Sequence, residues 1–231
     1  MNETSGADAT HVPRQENPRE QSEELLSAAL RYAEERHWDV VPGTWMETDD
    51  GTGALRCSCG DPECHAPGAH PARRDWKAAA TASATTARRM WSRYPRAAVL
   101  LPTGRMFDVV DVAENAGCLA LARLERTRTE LGPVAATPDR RMYFFVLPGA
   151  TPKVIDGLHA LGYASSAALD LAVRGEGDWA AAPPTRFGVS GSVQWVRRPT
   201  MSNSWLPDVA DLVSTLAYAC GRERVGARRG A

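Results

Sequence analysis

The sequence lacks the features that mark several large classes of protein. No apolar run approaches the roughly 18–20 residues that a membrane-spanning helix needs. Residues 1–24 are polar and acidic, and they lack the apolar segment of a secretory signal. A dinucleotide-binding glycine fingerprint, a long phosphate-binding loop and a Ser/His/Asp or Cys/His nucleophile set are also absent from the sequence. These absences predict a cytoplasmic protein that has no membrane partner.

An excess of charge of either sign is also missing. The chain has 27 Lys and Arg residues against 28 Asp and Glu residues, so its formal net charge is −1 at pH 7. This balance excludes a polybasic nucleic-acid coat, so any contact with nucleic acid must come from a local patch. The 43% of hydrophobic and 24% of charged residues are typical of a globular protein. A chain of 231 residues suits one large or two small domains.

Cysteine is scarce, but three of the five cysteines are crowded into one segment. An odd number at this spacing is unsuited to disulfides and suited to a metal site. Zinc binds four nitrogen or sulfur ligands in a tetrahedron. The segment offers Cys57, Cys59, Cys64 and His70. His65 is the weaker choice because it directly follows Cys64. Four filled positions leave no place for water, so we predict a structural zinc; the alternative is a set of free thiols on a mobile loop.

Hydrophobic periodicity predicts helices that alternate with short strands. Five helices are expected. Two begin after the N-caps Ser22 and Thr86, one ends at Gly132, and two begin at Pro152 and Pro207. Strands are expected at residues 38–42, 98–102, 107–112, 134–136, 142–147, 169–173, 179–182 and 192–196. Helices interrupt the strands, but hairpins also occur. The pattern therefore predicts an α+β fold with a mixed or mostly antiparallel sheet.

Composition also predicts where the domain begins and ends. Residues 1–21 have no apolar periodicity and are predicted to be a disordered tail. Residues 22–200 form the predicted domain, with the zinc knuckle at about 55–72. Residues 201–221 are predicted as a C-terminal helix that packs on the domain, and residues 222–231 as a basic disordered tail. Cys118 and Cys220 fall on apolar helix faces and are predicted core residues.

Five segments, in this order, resemble those of a known family. They are the cysteine cluster with GAHP at 68–71, WSRYP at 91–95 with LPTG at 101–104, VVDVA at 109–113, TPDRRMYF at 137–144 and VRGEGDWAAAPP at 173–184. Together they resemble the Prim-Pol domain of bifunctional DNA primase–polymerases, in the archaeo-eukaryotic primase superfamily. The resemblance covers about residues 25–200.

The resemblance implies a primase-like α+β domain with an RRM-like mixed sheet and an inserted zinc knuckle. Members of the family transfer a nucleotide to a growing primer. This in-line phosphoryl transfer uses two divalent ions, Mg or Mn, to neutralise charge. The family supplies the ligands as Asp-x-Asp on one strand and a third Asp on a neighbouring strand, and a hairpin histidine contacts the incoming triphosphate.

This sequence departs from the family pattern at most of its functional positions. Asp111 matches the first aspartate, but Ala113 stands at the second position. Ala172 stands at the third aspartate position, and Arg141 stands at the histidine position. Asp170 is the nearby acidic substitute, about 6.5 Å further back if the strand continues. We therefore expect the two-metal site to be weakened or lost.

The remaining charged residues of these segments have two interpretations each. Arginine binds phosphate through a planar fork of donors, so Arg140, Arg141 and Arg174 are candidate phosphate ligands. The alternatives are solvated turn residues at 140–141 and a tight turn after Arg174. Asp111 is either a residual metal ligand or a strand-end aspartate satisfied by backbone amides. Asp108 has the opposite strand parity and is expected to point away, as is Glu114.

We therefore predict a catalytically degenerate primase/polymerase-like domain that keeps a nucleotide- or DNA-binding cleft. Its expected cofactor is the structural zinc, with Mg or Mn only if the protein is catalytically active. A nucleotide or DNA is the expected partner, together with a replication protein. Two other hypotheses stay open. One is an active primase or polymerase whose rearranged metal site uses Asp111, Asp170 and Asp108. The other is a protein-interaction or regulatory module with a vestigial cleft.

Overall fold

Six helices and twelve short strands make up the part of the chain that the computed structural model describes, residues 17–49, 51–200 and 205–229. The helices are α1 (Pro18–Arg36), α2 (Trp76–Ala79), α3 (Ala84–Arg93), α4 (Glu114–Arg126), α5 (Ala150–Ala160) and α6 (Ala210–Arg229). The first six strands are β1 (Val41–Pro42), β2 (Met46–Thr48), β3 (Leu55–Cys57), β4 (Val99–Pro102), β5 (Asp108–Ala113) and β6 (Val134–Thr137). The others are β7 (Arg141–Val146), β8 (Leu171–Arg174), β9 (Trp179–Ala181), β10 (Arg186–Phe187), β11 (Gly191–Ser192) and β12 (Gln194–Arg197). This mixture of helices and sheets agrees with the predicted fold class.

The largest sheet has five strands in the order β12-β6-β7-β5-β8. Helix α4 carries the chain from β5 to β6, two positions away, and β7 then fills the gap between them. Helix α5 carries the chain to β8, on the other side of β5. Every strand pair in the sheet is antiparallel, which agrees with the mostly antiparallel alternative and not with a mixed sheet. The strands alternate in direction because β7, the second strand of the β6–β7 hairpin, lies between β5 and β6 and is antiparallel to both.

The two faces of this sheet belong to two separate cores. Successive residues of a strand point to opposite faces. One face packs on α4, α5 and α6 through Val110, Val112, Met142, Phe144 and Val146. The other face packs on a layer that we call the α1/α3 layer, which consists of α1, α3 and the three-stranded sheet β1-β4-β9. Val109, Tyr143 and Phe145 lie on that second face. The five-stranded sheet is therefore the middle of a three-layer arrangement.

Helix α1 begins earlier than the apolar pattern predicts. Asn17 is the N-cap, its side chain accepts a hydrogen bond from the Arg19 amide, and Pro18 occupies the first turn. The prediction of Ser22 as the N-cap, and of a tail extending to residue 21, is wrong for residues 18–21. The first turn is polar, so hydrophobic periodicity carries no signal there. The predicted disorder of residues 1–16 lies outside the described residues.

Helix α6 continues beyond the predicted helix end at residue 221. It runs to Arg229, so the prediction of a disordered tail is wrong for residues 222–229. The Glu223 carboxylate makes a contact within this added stretch. It accepts hydrogen bonds from the Ala116 amide at 3.0 Å and from Asn115 Nδ2 at 3.1 Å. Glu223 therefore satisfies the first turn of α4 and ties α6 to it. Residues 201–204 and 230–231 lie outside the described residues.

Two smaller helix boundaries also differ from expectation. Ser83, rather than Thr86, caps α3, and its hydroxyl accepts from the Thr86 amide at 3.4 Å. Helix α4 ends at Arg126, well before Gly132, with Thr127 as its C-cap. The predicted core position of Cys118 is wrong, because this residue is exposed. The other helical cysteine, at position 220, is buried as predicted.

Candidate functional site

The register of three neighbouring strands gathers the predicted site positions on one face of the five-stranded sheet. Asp111 pairs with Tyr143 on β7 and with Ala172 on β8. Ala113 pairs directly with Arg141. Paired residues of a sheet point to the same face, so Asp111, Tyr143 and Ala172 share the face that turns toward the α1/α3 layer. Ala113, where β5 ends and α4 begins, packs instead against the core on the other face. The positions that resemble the family's acidic and histidine positions are therefore neighbours in space.

Two arginines bind the Asp111 carboxylate, one at each oxygen. Arg141 Nε donates to Asp111 Oδ1 at 2.7 Å. Arg174 donates to Asp111 Oδ2 through Nε at 3.0 Å and through Nη2 at 2.8 Å. The Asp111 side chain is only 5% exposed, so both of its oxygens are satisfied by guanidinium groups rather than by water. The alternative that backbone amides satisfy this aspartate finds no support, because the donors to its carboxylate are the two arginines.

Asp170 joins the cluster from outside the strand. It follows the 3-10 helix Ala167–Leu169 in a left-handed conformation, with φ of 53°, and β8 begins only at the next residue. Its Oδ2 accepts from Arg141 Nη1 at 2.6 Å, and its carbonyl oxygen accepts from Arg141 Nη2 at 3.1 Å. The prediction that Asp170 continues the strand is therefore wrong. The turn brings its carboxylate to the same guanidinium that binds Asp111.

The four charged groups compensate one another. Burial alone would lower the pKa of Arg141, but its hydrogen bonds to Asp111 and Asp170 outweigh this effect and raise the pKa. Burial would also lower the pKa of Arg174, but the neighbouring Tyr143 and Asp111 raise it. Both guanidinium groups therefore stay charged. Two positive and two negative groups leave the cluster, Asp111, Asp170, Arg141 and Arg174, without formal net charge.

Tyr143 packs against Arg174, and no separate signal in the sequence predicts this contact. The Arg174 guanidinium lies 5.1 Å from the centre of the Tyr143 ring, a cation–π distance. Burial raises the pKa of the Tyr143 phenol, so it remains neutral. Strand alternation from Arg141 places Tyr143 on this face, but the contact itself depends on the β5–β8 pairing. Asp178 also lies 3.8 Å from Arg174 and was not anticipated.

The other predicted candidates lie away from this cluster. Asp108 is buried and points to the opposite side, where Oδ2 accepts from the Ala150 amide at 2.8 Å and caps α5. Arg140 occupies a left-handed turn position, with φ of 62°. Its side chain contacts Glu114 at 3.5 Å, at the start of α4. The structure therefore brings Arg141 and Arg174 together, and it separates Arg140 and Asp108 from them.

A tight turn holds the loop that follows Arg174. The Thr103 hydroxyl donates to the Gly175 carbonyl at 2.6 Å, and the Thr103 amide donates to the Asp178 carbonyl at 3.0 Å. Gly104 has φ of +98°, and a Cβ there would lie 2.3 Å from Glu176 Cα. Only glycine permits this conformation and this close approach. The turn between β4 and β5 therefore fixes the position of Arg174.

The predicted zinc ligands form a second cluster, at the end of β3 and in the segment between β3 and α2. Their candidate ligand atoms all lie within 4.8 Å of one another, and the residues are Cys57, Cys59, Cys64 and His70. The sulfur of Cys57 lies 3.5 Å from His70 Nε2. Burial would raise the pKa of the Cys57 thiol, but hydrogen bonds from the Cys59 and Gly68 amides bring it down to about 6. This cluster can hold a metal ion such as zinc.

Comparison with known proteins bears on both clusters. A family model described as bifunctional DNA primase/polymerase, N-terminal, matches residues 29–209. The match includes the cysteine cluster, the Asp111 strand and the Arg174 loop. No match to a curated protein was found. Among the described residues, no helix is both long and apolar enough to cross a membrane.

Proposed function

Because the chain belongs to the family of bifunctional DNA primase/polymerase N-terminal domains, we propose that it is a non-catalytic member of that family. In this proposal the protein does not transfer nucleotides. Its cleft instead holds the phosphate of a nucleotide or of a DNA backbone through Arg141 and Arg174. The β-α-β-β-α-β order of β5 to β8 supports an RRM-like core of the kind that the family resemblance implies.

One observation supports the proposed loss of catalysis: the guanidinium of Arg141 bridges the carboxylates of Asp111 and Asp170. These are the acids that a metal ion in this cleft would need. A two-metal centre brings four positive charges and open coordination positions to the reacting phosphate. Two guanidinium groups bring two charges and no Lewis acidity. A divalent ion would also have to displace Arg141 and approach Arg174, a second positive charge.

Binding of phosphate is supported by the unequal exposure of the two acids. Asp111 is buried and holds both arginines in place, whereas the Asp170 side chain is 57% exposed. A solvent-exposed ion pair contributes little stability, typically about 0–1 kcal/mol. A phosphate oxygen can therefore replace Asp170 on Arg141 Nη1 at small cost. Asp170 acts in this account as an exchangeable partner of Arg141.

We also propose that the cysteine cluster holds a structural zinc. Zinc–ligand bonds of about 2.0–2.3 Å in a tetrahedron place neighbouring ligand atoms about 3.3–3.8 Å apart. The 3.5 Å between Cys57 Sγ and His70 Nε2 falls in this range. His70 Nδ1 lies 3.1 Å from the Pro71 carbonyl, a contact that orients the other ring nitrogen toward the thiols. The set of three thiols and one imidazole is typical of a closed structural site.

Two assays of the purified protein test this function. The first is primer extension with Mg²⁺ and with Mn²⁺, where we expect no templated incorporation of dNTPs. The second is a titration with ATP, with dNTPs and with labelled single-stranded DNA. Conservative replacement of the clamp, Arg141→Lys with Arg174→Lys, keeps the charge and removes the planar fork. We expect it to weaken nucleotide binding about tenfold, and Arg140→Ala to leave binding unchanged.

The two open alternatives predict different results. Templated incorporation that Asp111→Ala abolishes would establish an active polymerase with a rearranged metal site. An absence of binding to every nucleotide and to DNA would favour an interaction module with a vestigial cleft. Binding that is unaffected by the double lysine variant would contradict the arginine clamp.

A further inference from the structure

Strand β8 forms an open edge of the five-stranded sheet. It pairs with β5 on one side, and within the described part of the chain no strand pairs with its other side. Its register with β5 is continuous, and its sequence contains no proline. The side chain of its one charged residue, Arg174, is bound to Asp111. A bulge, a proline or an exposed charge usually protects an edge from pairing with another strand, and β8 has none of these.

The opposite edge of the same sheet, β12, is protected. Its register with β6 shifts between Trp195 and Arg197, as at a β-bulge. The Arg197 guanidinium contacts Glu125 at 3.5 Å and donates to the Gly132 carbonyl at 3.4 Å. An irregular backbone and a bound cation both oppose regular pairing at this edge. The two edges therefore differ, and β8 is the one at which a further strand fits.

One contact shows which backbone groups of β8 face the open edge. The Leu171 amide donates to the Ser166 carbonyl at 3.2 Å, so it points away from β5. Alternate residues of an edge strand direct their amide and carbonyl groups to the same side, so those of Val173 also point away from β5. No described residue donates to the Leu171 carbonyl or accepts from the Val173 amide. The edge therefore offers one donor and one acceptor to another strand.

The segment from Asp170 to Arg174, with the sequence DLAVR, is complementary to a second copy of itself. In an antiparallel pair centred on Ala172, the Val173 amide of each copy meets the Leu171 carbonyl of the other. The apolar side chains of Leu171 and Val173 then lie opposite each other on one face. On the other face Ala172 lies opposite itself, and its small side chain leaves room. Asp170 of one copy lies opposite Arg174 of the other, a cross-strand pair of opposite charges.

The side chains beside this edge are accessible to a second copy. Ala172 is exposed, and the Asp170 side chain is 57% exposed with only Oδ2 bound to Arg141. On the helix-covered face, Ile155 of α5 and Val173 line a groove of about 480 Å³. Ile155 is 46% exposed although it is apolar. Pairing of the two edges brings α5 of each copy toward the other and covers this isoleucine.

We propose that the protein forms a two-fold symmetric dimer in which the β8 strands of two copies pair antiparallel about Ala172. The pairing joins two five-stranded sheets into one continuous sheet. The two-fold axis is perpendicular to that sheet, so both arginine clusters lie on the same face, one on each side of the axis. This inference rests on the edge alone and stands whether or not the cleft binds a nucleotide.

Sedimentation equilibrium of the full chain tests the dimer. Over about a hundredfold range of protein concentration, the mean mass should rise from that of one chain toward twice that value, as mass action requires. Val173→Pro removes the outward amide and no hydrogen bond to β5. Because the symmetric pair then loses two hydrogen bonds, we expect the dissociation constant to rise at least about tenfold.

Val196→Pro is the matched control for this substitution. Val196 also lies on an edge strand, β12, and is 48% exposed at the irregular position of its register. This control should leave the dissociation constant of the dimer unchanged. Circular dichroism and thermal unfolding confirm that both proline variants fold.

Disulfide cross-linking tests the register and does not depend on the proline variants. In the proposed pair, position 172 of one copy and position 172 of the other form a non-hydrogen-bonded pair with Cα atoms about 4.5 Å apart, a distance that a disulfide spans. Mild oxidation of Ala172→Cys should therefore give a covalent dimer on a non-reducing gel. The wild type, with its native cysteines, and Val196→Cys give the background level of cross-linking.

Three results would overturn the proposal. One is the mass of a single chain at every concentration, which would leave the β8 edge for an extended segment of a different protein. Another is an equal effect of Val173→Pro and Val196→Pro on the dissociation constant. The third is no more cross-linking in Ala172→Cys than in Val196→Cys.

Discussion

At the residue scale, the site depends on one buried carboxylate that serves two arginines. Asp111 is 5% exposed, while the side chains of Arg141 and Arg174 are 20% and 27% exposed. Removing a buried acid from such an arrangement leaves two poorly hydrated cations facing each other. Asp170 is different because its side chain is mostly in water. The two acids of the cluster should therefore differ strongly in their contribution to stability.

We expect Asp111→Ala to lower the free energy of unfolding by about 2–4 kcal/mol, since it breaks a largely buried ion-pair network. Asp170→Asn should cost less than about 1 kcal/mol, since the pair is exposed and asparagine tolerates the left-handed backbone. Denaturant unfolding of both variants measures the difference. Equal costs would show that Asp111 is not the anchor of the cluster.

Tyr143 gives the protein a specific response to alkaline pH. Burial raises the pKa of its phenol above that of the unfolded chain, which is about 10. The raised pKa contributes stability that is complete below pH of about 10 and is lost as the pH rises toward the folded-state pKa. Tyr143→Phe keeps the ring under Arg174 and removes the ionisable group. We expect the variant to lose less stability than the wild type between pH 9 and 11, measured by thermal unfolding. Parallel losses in the two proteins would contradict this assignment.

The sequence could predict which residues stand at the site, but not all of their contacts. The resemblance places Ala113, Arg141 and Ala172 at the family's functional positions, and strand parity places Arg141 and Ala172 on one face. The contact of Asp170 with Arg141 could not be predicted, because it depends on the left-handed conformation of Asp170, just before β8 begins. The turn at Arg140 could not be predicted either, because it also depends on a residue with a positive φ.

At the scale of elements, the Thr103–Gly104 turn packs against the loop that follows Arg174. We expect Gly104→Ala to lower the free energy of unfolding by about 1–3 kcal/mol, because the added Cβ meets the Glu176 backbone at 2.3 Å. It should also weaken nucleotide binding, since the displaced loop directly follows Arg174.

Gly162 is a matched control for this substitution. It also has a positive φ, +83°, but a Cβ there would meet nothing within 4 Å. Gly162→Ala should therefore show only the backbone cost, about 1 kcal/mol, and no loss of nucleotide affinity. If both variants bind nucleotide as the wild type does, the turn does not position Arg174.

The cysteine cluster is the second element whose role is testable. We expect metal analysis to find about one zinc per chain, and a strong chelator to lower the thermal unfolding temperature. Cys59→Ser should lose most of the zinc and destabilise the fold. His65→Ala should keep both, because this histidine lies outside the ligand cluster. Full zinc content and full stability in Cys59→Ser would contradict the ligand set.

Most elements could be predicted from sequence periodicity, and their ends could not. The β6–β7 hairpin and the α5 and β8 segments follow patterns of apolar residues that tertiary packing preserves. The ends of α1 and α6 follow from polar contacts instead. Asn17 caps one helix, and Glu223 ties the other to the first turn of α4. Such contacts depend on residues far apart in sequence, so local patterns carry little information about them.

At the scale of the whole molecule, the two faces of the five-stranded sheet have different roles in our account. One face is covered by α4, α5 and α6 and serves the core. The other face meets the α1/α3 layer and carries the arginine cluster beyond the packed residues. The charged groups that we assign to binding therefore lie on one side of the sheet.

The central claim is that a guanidinium occupies the place of a metal ion between Asp111 and Asp170. The most direct test is a Mn²⁺ titration followed by electron paramagnetic resonance, on the wild type and on Asp111→Ala. Our account predicts the same Mn²⁺ uptake by both proteins, because the wild-type cleft has no site to lose. A stoichiometric Mn²⁺ site in the wild type that disappears in Asp111→Ala would contradict it.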